Sequence, residues 1–290
     1  MKNILLLFLA LFIFVGCKDN TESVSSTRAN NFTGVYYSDR SNNGNGSTHI
    51  WVITRKGNDK LALGYYLADF ARIGNTVTSK KDVHFLENVT VTSDSTFVIN
   101  ESDAGAATPM VMKGTGTLKK RGDGSSYVAI GIDYLTASGQ PARNAEFLEF
   151  SKVNNLLDGT VSSNDFDLEG TYSVLLDPEA NSKTSAHKWT LTALNSTTFD
   201  LSYLITDRYP QGNIREIVTS YPIKGVKRVN QSLTIDAATE EEYSKNKATV
   251  KALSIKLLRD DQVPRIATIV RVNNEGQNIR TSEYIELRRE

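Results

Sequence analysis

The chain has 290 residues, and its 33 Lys plus Arg residues balance 33 Asp plus Glu residues, so the net charge is zero. This balance excludes the strongly basic composition with which nucleic-acid-binding proteins neutralise phosphates, and no nucleic-acid partner is expected. The single cysteine excludes a disulfide within the chain. Abundant Thr, Ser, Val, Tyr and Asn, without a long amphipathic helical pattern, predict an antiparallel β protein of one large or two ordinary domains.

The first 17 residues, MKNILLLFLALFIFVGC, combine a basic start at Lys2 with an apolar run over 4–15 that is too short to cross a bilayer as a helix. The closing FVGC resembles the lipobox of bacterial envelope lipoproteins, in which a peptidase cuts before the cysteine and the thiol carries fatty acyl chains such as palmitate. The resemblance implies a lipoprotein signal peptide over 1–16 and a membrane anchor at acylated Cys17. An ordinary secretory signal is the alternative, but it leaves the lone cysteine without a role.

Residues 17–31 are polar and without periodicity, which predicts a flexible tether between the lipid and the first domain. Lys18 is not the aspartate that commonly retains lipoproteins in an inner membrane. The pair Lys18-Asp19 resembles the export signal of surface lipoproteins in Bacteroidota. We therefore expect a lipid-anchored protein of the cell outer membrane, with the periplasmic and surface faces both open.

From Phe32 onward the chain repeats itself at a spacing of 136 to 138 residues, which chance matches would not keep so constant. The repeat predicts β domain 1 over 32–152 and β domain 2 over 168–290, joined by a linker over 153–167 that is rich in Asn, Asp and Ser. The matching segments are Phe32-Thr33-Gly34-Val35-Tyr36 with Leu168-Glu169-Gly170-Thr171-Tyr172, Ser47–Trp51 with Ser185–Trp189, and Gly139–Arg143 with Gly276–Arg280.

The first unit carries about eight short strand-like runs separated by Gly, Asn, Asp and Ser turns, a pattern typical of an up-and-down barrel that closes on itself. The Gly-x-Tyr openings at Gly34 and Gly170 resemble the Gly-x-Trp first strand of calycins, the lipocalin-like and avidin-like barrels. The basic residue near the last strand of those barrels has counterparts in Lys152 and Arg288. A tandem of immunoglobulin-like sandwiches remains the alternative.

Strand alternation places a group of aromatic residues and histidines on the inward face of the predicted barrels. Aromatic walls with a few polar tips are typical of sites for sugars and small organic ligands, so this group forms a ligand-binding hypothesis. The alternative is a filled core, because an eight-stranded barrel is just wide enough for its own side chains. The group consists of Tyr36, His49, Trp51 and Tyr65 in the first unit and Tyr172, His187, Trp189 and Tyr203 in the second.

Glu146 and Glu283 begin a repeated Glu-x-x-Glu motif that invites an acid–base interpretation, but residues three apart on a strand point to opposite faces. We expect the inward acid of each motif to bind the repeated arginine, Arg143 or Arg280, instead. The three histidines lack metal-ligand spacing, and no nucleophile elbow, phosphate loop or dinucleotide fingerprint is present. We therefore expect no metal, no cofactor and no enzymatic activity.

Asp94-Ser95-Thr96 resembles the sequon at which Bacteroidota O-glycosylate exported proteins, which makes Ser95 a candidate glycosylation site, with a plain turn as the alternative. Together, the patterns predict a non-catalytic envelope lipoprotein whose β-barrel pockets bind a small molecule or glycan for an outer-membrane protein partner. The alternative is a structural or assembly subunit of an outer-membrane protein complex with filled, non-binding β domains.

Overall fold

The computed structural model of the chain describes residues 28–42, 45–74, 76–153, 168–175, 184–209, 215–258, 263–275 and 279–290. The predicted signal peptide, Cys17 and residues 154–167 of the predicted linker lie outside these ranges. No helix in the described ranges has the length and apolar character needed to span a membrane. The described strands form two closed antiparallel barrels in tandem.

The first barrel closes because its eighth strand returns to pair with its first, so every strand has two neighbours. Consecutive strands are neighbours throughout, which is the up-and-down order predicted from the sequence. Gly124 adopts a left-handed conformation, with φ at +85°, in the turn between the sixth and seventh strands, where a side chain would be strained. The strands are β1 (Gly34–Asn42), β2 (Asn45–Arg55), β3 (Lys60–Ile73), β4 (Thr76–Ser93), β5 (Thr96–Ser102), β6 (Val111–Lys120), β7 (Ser126–Leu135) and β8 (Pro141–Lys152).

The second barrel repeats the first in strand order and in register. Trp51 is flanked by Tyr36 and Tyr65 on the neighbouring strands, and Trp189 is flanked by two tyrosines in the same way. The closed barrels confirm the predicted all-β tandem and overturn the immunoglobulin-like alternative, which needs two separate sheets packed face to face. The strands are β9 (Gly170–Leu175), β10 (Thr184–Asn195), β11 (Thr198–Tyr209), β12 (Arg215–Val229), β13 (Ser232–Glu240), β14 (Lys247–Leu258), β15 (Pro264–Asn274) and β16 (Ile279–Arg289).

The end of barrel 1 at which the chain enters is closed by a short 3-10 turn, Arg28–Phe32. Phe32 is fully buried, and its ring packs edge-on against Phe97 at a centroid distance of 5.3 Å. The predicted tether spans residues 17–31. Its last four residues, 28–31, belong instead to the folded body, because apolar side chains of this turn fill the barrel end. Leu168, the repeat counterpart of Phe32, is buried in the core of barrel 2.

The two barrels dock through apolar side chains on their outer surfaces. Gly64 lets the surfaces approach closely, since a Cβ at that position would lie 3.2 Å from the Cβ of Ile269. Outward positions of β2 are therefore apolar, although strand alternation alone would place polar, water-facing residues there. The buried residues of this interface are Val35, Ile50, Val52, Ala62, Val83 and Phe85 on barrel 1 and Leu253, Ile255, Leu257, Ala267 and Ile269 on barrel 2.

Each barrel has one end, here termed its mouth, that lies opposite the closed end. An arginine–aspartate pair marks each mouth: Arg143 with Asp69 in barrel 1, and Arg280 with Asp207 in barrel 2. The Lys81 ammonium of barrel 1 lies 3.8 Å from the Glu283 carboxylate of barrel 2, and both residues lie next to a mouth. The two mouths therefore lie next to each other, and the mouth of barrel 1 is at the opposite end of that barrel from the 3-10 turn Arg28–Phe32.

Candidate functional site

The predicted ligand-binding residues of barrel 1 form its packed interior. Tyr36, His49, Trp51 and Tyr65 are each at most 1% exposed. Trp51 stacks on Phe150 with ring centroids 3.7 Å apart, and it meets Tyr65 edge-on at 5.9 Å. Contacts of this kind leave no space for a ligand between the rings, so the filled-core alternative describes the interior of barrel 1 in this structure.

His49 is hydrogen-bonded through both ring nitrogens. Its Nδ1 lies 2.6 Å from the Tyr65 hydroxyl, and its Nε2 lies 2.7 Å from the Ser47 hydroxyl. The Tyr65 hydroxyl shares a further hydrogen bond of 2.9 Å with Tyr134. Burial lowers the pKa of His49 to about 4, although the nearby Glu146 carboxylate opposes that shift, and the ring is therefore neutral at pH 7.

A serine, a histidine and a glutamate lie close together here, and these are the residue types of a hydrolytic triad. A triad needs the serine and the acid on opposite ring nitrogens, whereas Ser47 and Glu146 both face Nε2 of His49, at 2.7 and 4.0 Å. The other nitrogen is bonded to Tyr65, whose pKa is raised well above its usual value by burial and by Tyr134. This arrangement satisfies polar groups in the core and does not activate Ser47.

Barrel 2 keeps the histidine–tyrosine pair. The Nδ1 of His187 lies 2.8 Å from the Tyr203 hydroxyl, and Trp189 packs edge-on against Tyr203 at 5.7 Å. The Tyr172 hydroxyl donates to the backbone oxygen of Leu168 at 3.3 Å. All four predicted residues of barrel 2 are buried, so their ligand-binding role stays a prediction that would require this interior to open.

Three further polar aromatic side chains complete the two cores and are not part of the sequence hypothesis: Tyr134, His84 and Tyr221. Each is buried. His84 lies opposite Tyr65, and Tyr221 lies opposite Tyr203, on the strand that follows in each barrel. The inward parity of β4, β7 and β12 is the signal that could have identified them.

Above the packed core of barrel 1, acids hold an arginine at the mouth. Arg143 donates to Asp69 and to both carboxylate oxygens of Glu146, at 3.2 and 3.3 Å. This geometry confirms the expected pairing of the repeated arginine with the inward glutamate. The guanidinium also lies 5.4 Å from the centre of the Tyr134 ring, so the polar mouth rests directly on the aromatic core.

The corresponding arginine of barrel 2 makes a different ion pair. Arg280 bonds Asp207, whereas Glu283 faces Lys81 of the neighbouring barrel at 3.8 Å. The expected pairing of Arg280 with Glu283 is therefore wrong, because the docked barrel supplies another cation. Burial raises the pKa of Glu283, and Lys81 opposes that shift.

The mouth of barrel 1 holds a cleft of about 420 Å³. Asp82 is buried in its wall, and its carboxylate accepts hydrogen bonds from the backbone amides of Ala107 and Thr108, at 3.1 and 2.8 Å. These bonds anchor the connection between β5 and β6, residues 103–110, at the mouth. The polar residues that line the cleft are Asp69, Lys80, Asp82, Thr108, Arg143 and Asn144.

His84 lies one inward position below Asp82 on β4 and is fully buried. Neither of its ring nitrogens has a hydrogen-bond partner among the described residues, and the Asp82 carboxylate lies 3.6 Å from Nε2. Burial lowers the pKa of His84, while Asp82 and Asp103 oppose the shift. The described residues include no group of three His, Cys, Asp or Glu placed to hold a metal ion. Buried imidazole nitrogens are normally hydrogen-bonded, so His84 is an exception within the core of barrel 1, beneath the cleft but not part of its lining.

The mouth of barrel 2 holds a wider cleft, of about 630 Å³, between the ends of β13, β14 and β15. Asn274 forms part of its wall, donates to Glu241 at 2.7 Å and accepts from the Tyr221 hydroxyl at 3.3 Å. Both barrels thus have an opening above a filled interior. The openings are lined by residues other than the eight that the sequence hypothesis selected.

Ser95 is exposed at the tip of the hairpin between β4 and β5. The preceding Asp94 is tied to the 3-10 turn, since its carboxylate lies 3.3 Å from the Arg28 guanidinium and its backbone oxygen accepts from Asn31 at 3.1 Å. The hydroxyl of Ser95 is therefore accessible on an ordered tip. Its glycosylation stays a prediction.

No protein-family model matches the chain, and no curated protein sequence matches it. Among solved structures, that of a candidate outer membrane protein from Bacteroides fragilis covers 91% of this chain and 100% of its own. The sequence identity is 12% and the TM-score is 0.23. A likeness at this level carries no argument about fold or function.

Proposed function

We propose that this chain is a lipid-anchored, non-catalytic protein of the cell envelope that binds a glycan or a similar polyhydroxylated small molecule at the mouth of barrel 1. The observation that carries the proposal is the cleft at that mouth, which charged side chains line above a filled interior. The lipobox-like FVGC ending at Cys17 supports the outer-membrane location.

The charges of the cleft favour a neutral ligand. Asp69 and Asp82 are balanced by Lys80 and Arg143, so the lining offers hydrogen-bond acceptors and donors without a net charge. Hydroxyl groups both donate and accept, which suits such a lining.

The placement of the mouths suits a protein held by its N-terminus. The chain enters barrel 1 at the end closed by Arg28–Phe32, and both mouths lie at the other end. A lipid on Cys17 would hold the closed end towards the membrane. Both clefts would then face away from the membrane, where a glycan or the expected outer-membrane partner is accessible.

Calorimetric titration of the chain lacking residues 1–17 with glucose, N-acetylglucosamine and their oligosaccharides tests the proposal. We expect Asp69→Asn to weaken binding at least about tenfold, because a hydrogen bond to a charged group contributes about 1.5–3 kcal/mol. Asp133→Asn removes the same charge from an exposed position on β7 and is the matched control. Titrations without heat for every sugar, or equal losses in the two variants, would contradict the proposal.

A structural or assembly role in an outer-membrane complex is the second candidate function, and the filled interiors of both barrels favour it. In that role the outer surface binds another envelope protein and the mouth clefts are incidental. Purification of the acylated full chain in mild detergent should then recover one stoichiometric partner, which Asp69→Asn retains. Sugar binding without such a partner would remove this candidate.

A further inference from the structure

We propose that barrel 2 holds one wall of the barrel 1 cleft in place through Arg271, which makes Arg271 a positioning residue for the ligand site. The inference concerns residues 103–110, between β5 and β6, here termed the mouth loop. Thr108 and Met110 of the mouth loop line the cleft. The consequence for a ligand rests on the function proposed above, whereas the hold on the mouth loop is independent of it.

Arg271 projects from the outer face of β15 into barrel 1. Its Nη1 and Nη2 donate to the two carboxylate oxygens of Asp103, at 2.6 and 3.1 Å, and Nη1 also donates to the backbone oxygen of Val83 at 3.2 Å. Only 4% of Arg271 and 7% of Asp103 are exposed, so water does not compete for the pair. The guanidinium also lies 5.1 Å from the centre of the Phe85 ring. A bidentate guanidinium fixes the orientation of a carboxylate as well as its position.

Asp103 transmits this constraint to the start of the mouth loop. Its Oδ1 accepts from the amide of Gly105 at 3.0 Å, and its Oδ2 accepts from the amide of Phe85 at 2.7 Å. A Cβ at position 105 would lie 2.5 Å from the Nη2 of Arg271, so a larger residue there would displace the guanidinium. The mouth loop is thus tied to β4 of its own barrel and to the other barrel at the same point.

The far part of the mouth loop is tied to the cleft itself. Asp82, which lines the cleft, accepts the amides of Ala107 and Thr108. With Asp103 held at one end and these amides held at the other, few free backbone torsions remain between the two anchors. Loss of the Arg271 anchor would therefore loosen the wall that Thr108 forms.

The sequence repeat shows that this contact belongs to the docking of the two barrels and not to the barrel fold. Arg271 follows Val270 on β15 as Asp133 follows Ile132 on β7, since each preceding residue lies opposite the repeated glutamate. Asp133 is exposed and carries the opposite charge. The barrel therefore forms with either residue at this position. In barrel 2 the residue is an arginine, which contacts the neighbouring barrel.

Hydrogen–deuterium exchange of the chain lacking residues 1–17 tests the positioning role without any ligand. We expect Arg271→Ala to speed exchange of the amides in 103–108 at least about tenfold, because the anchor at Asp103 is lost. Arg271→Lys keeps a cation beside Asp103 but cannot reproduce the bidentate fork, and a smaller increase of about threefold is expected. Lys251→Ala breaks the ion pair with Glu87 at the same interface, and this control should leave the mouth loop unchanged.

Unchanged exchange of the mouth loop in both Arg271 variants would overturn the inference, and so would an equal increase in Lys251→Ala. If Arg271→Ala does not fold, Arg271→Lys alone carries the test, since it leaves no uncompensated buried charge. Calorimetry with a sugar that binds the wild-type chain adds a second readout, in which Arg271→Ala should weaken binding about tenfold. A wild-type chain that binds no sugar would remove the proposed function, and the exchange result would still decide the role of Arg271.

Discussion

The two barrels share a core and differ in what surrounds it. Each contains a tryptophan between two tyrosines, beneath a histidine–tyrosine hydrogen bond. In barrel 1 the tryptophan stacks on Phe150, whereas Leu287 occupies the equivalent position in barrel 2. The shared residues form the common core of the fold, and the differing residues change the packing and the polar contacts around that core.

The additional tyrosine of the core lies on a different strand in each barrel. In barrel 1 it is Tyr134 of β7, and His84 occupies the position opposite Tyr65. In barrel 2 Tyr221 of β12 occupies the position equivalent to His84, and Val272 replaces Tyr134. Barrel 1 thus has a buried imidazole beneath its mouth where barrel 2 has a phenol.

Truncation of the two tryptophans should give the largest difference in stability between the barrels. A Trp→Ala change in a packed core costs about 3–5 kcal/mol, and an aromatic stack adds about 0.5–1.5 kcal/mol. We therefore expect Trp51→Ala to lower the free energy of unfolding by about 1 kcal/mol more than Trp189→Ala does, as measured by urea unfolding. In a Phe150→Leu background, which copies Leu287, the gap should close. Equal losses in the unmodified background would show that the stack contributes nothing.

Acid should weaken barrel 1 through His49. Its pKa is lowered from 6.5 to about 4 in the folded protein, so between these values the unfolded chain binds a proton that the folded barrel does not. The contribution of His49 to the free energy of unfolding is therefore constant above pH 6.5 and falls by about 3 kcal/mol as the pH approaches 4. Urea unfolding at a series of pH values measures this loss.

His49→Gln should reduce the pH dependence of stability without removing it, because burial also lowers the pKa of His84. The same slope in His49→Gln and in the wild-type chain would show that His49 takes no part. A profile that stays level down to pH 4.5 in the wild-type chain would contradict the burial of both imidazoles.

The smallest effect is expected at the ion pair between the mouths. Lys81 is 43% exposed and Glu283 is 23% exposed at the side chain, so Lys81→Ala should cost no more than about 1 kcal/mol. The pKa of Glu283 should nevertheless rise further, because Lys81 opposes the effect of burial. Carbon-13 NMR titration of the glutamate side chains measures this shift. Glu146, which Arg143 holds within barrel 1, is the internal control, and an equal shift of both glutamates would count against the pairing.

Most of the fold could be predicted from the sequence because its signals are local. Alternation around Trp51 and Trp189, together with turn residues between the runs, is enough to predict closed barrels. The docking of the barrels was not predicted, since apolar outward residues on one strand appear as a break in the alternation. Comparison of the two copies would have revealed the docking face, because the apolar Ile50 and Val52 correspond to the polar Lys188 and Thr190.

The eight residues selected from the sequence lie in the packed interiors of the barrels, whereas the clefts lie above them at the mouths. Inward parity identifies the face of a strand, but it does not show how far along the barrel axis a residue lies or whether its neighbours fill the space. The arginine and aspartates of the mouth of barrel 1 become a cleft only in the closed barrel. The contact of Arg271 with Asp103 joins residues 168 positions apart in different units, and no local pattern encodes such a contact.

The docking of the barrels uses a different face of each copy, so it is a head-to-tail contact. Contacts of this type can in principle add further copies without limit and produce filaments. In this chain the positions equivalent to each docking face are polar in the other copy, so they offer no apolar surface to a further copy. The replacements are Thr190 for Val52, Ser202 for Gly64, Thr115 for Leu253 and Thr117 for Ile255. Divergence of the two copies after duplication has thus removed the apolar surface onto which a further copy could dock.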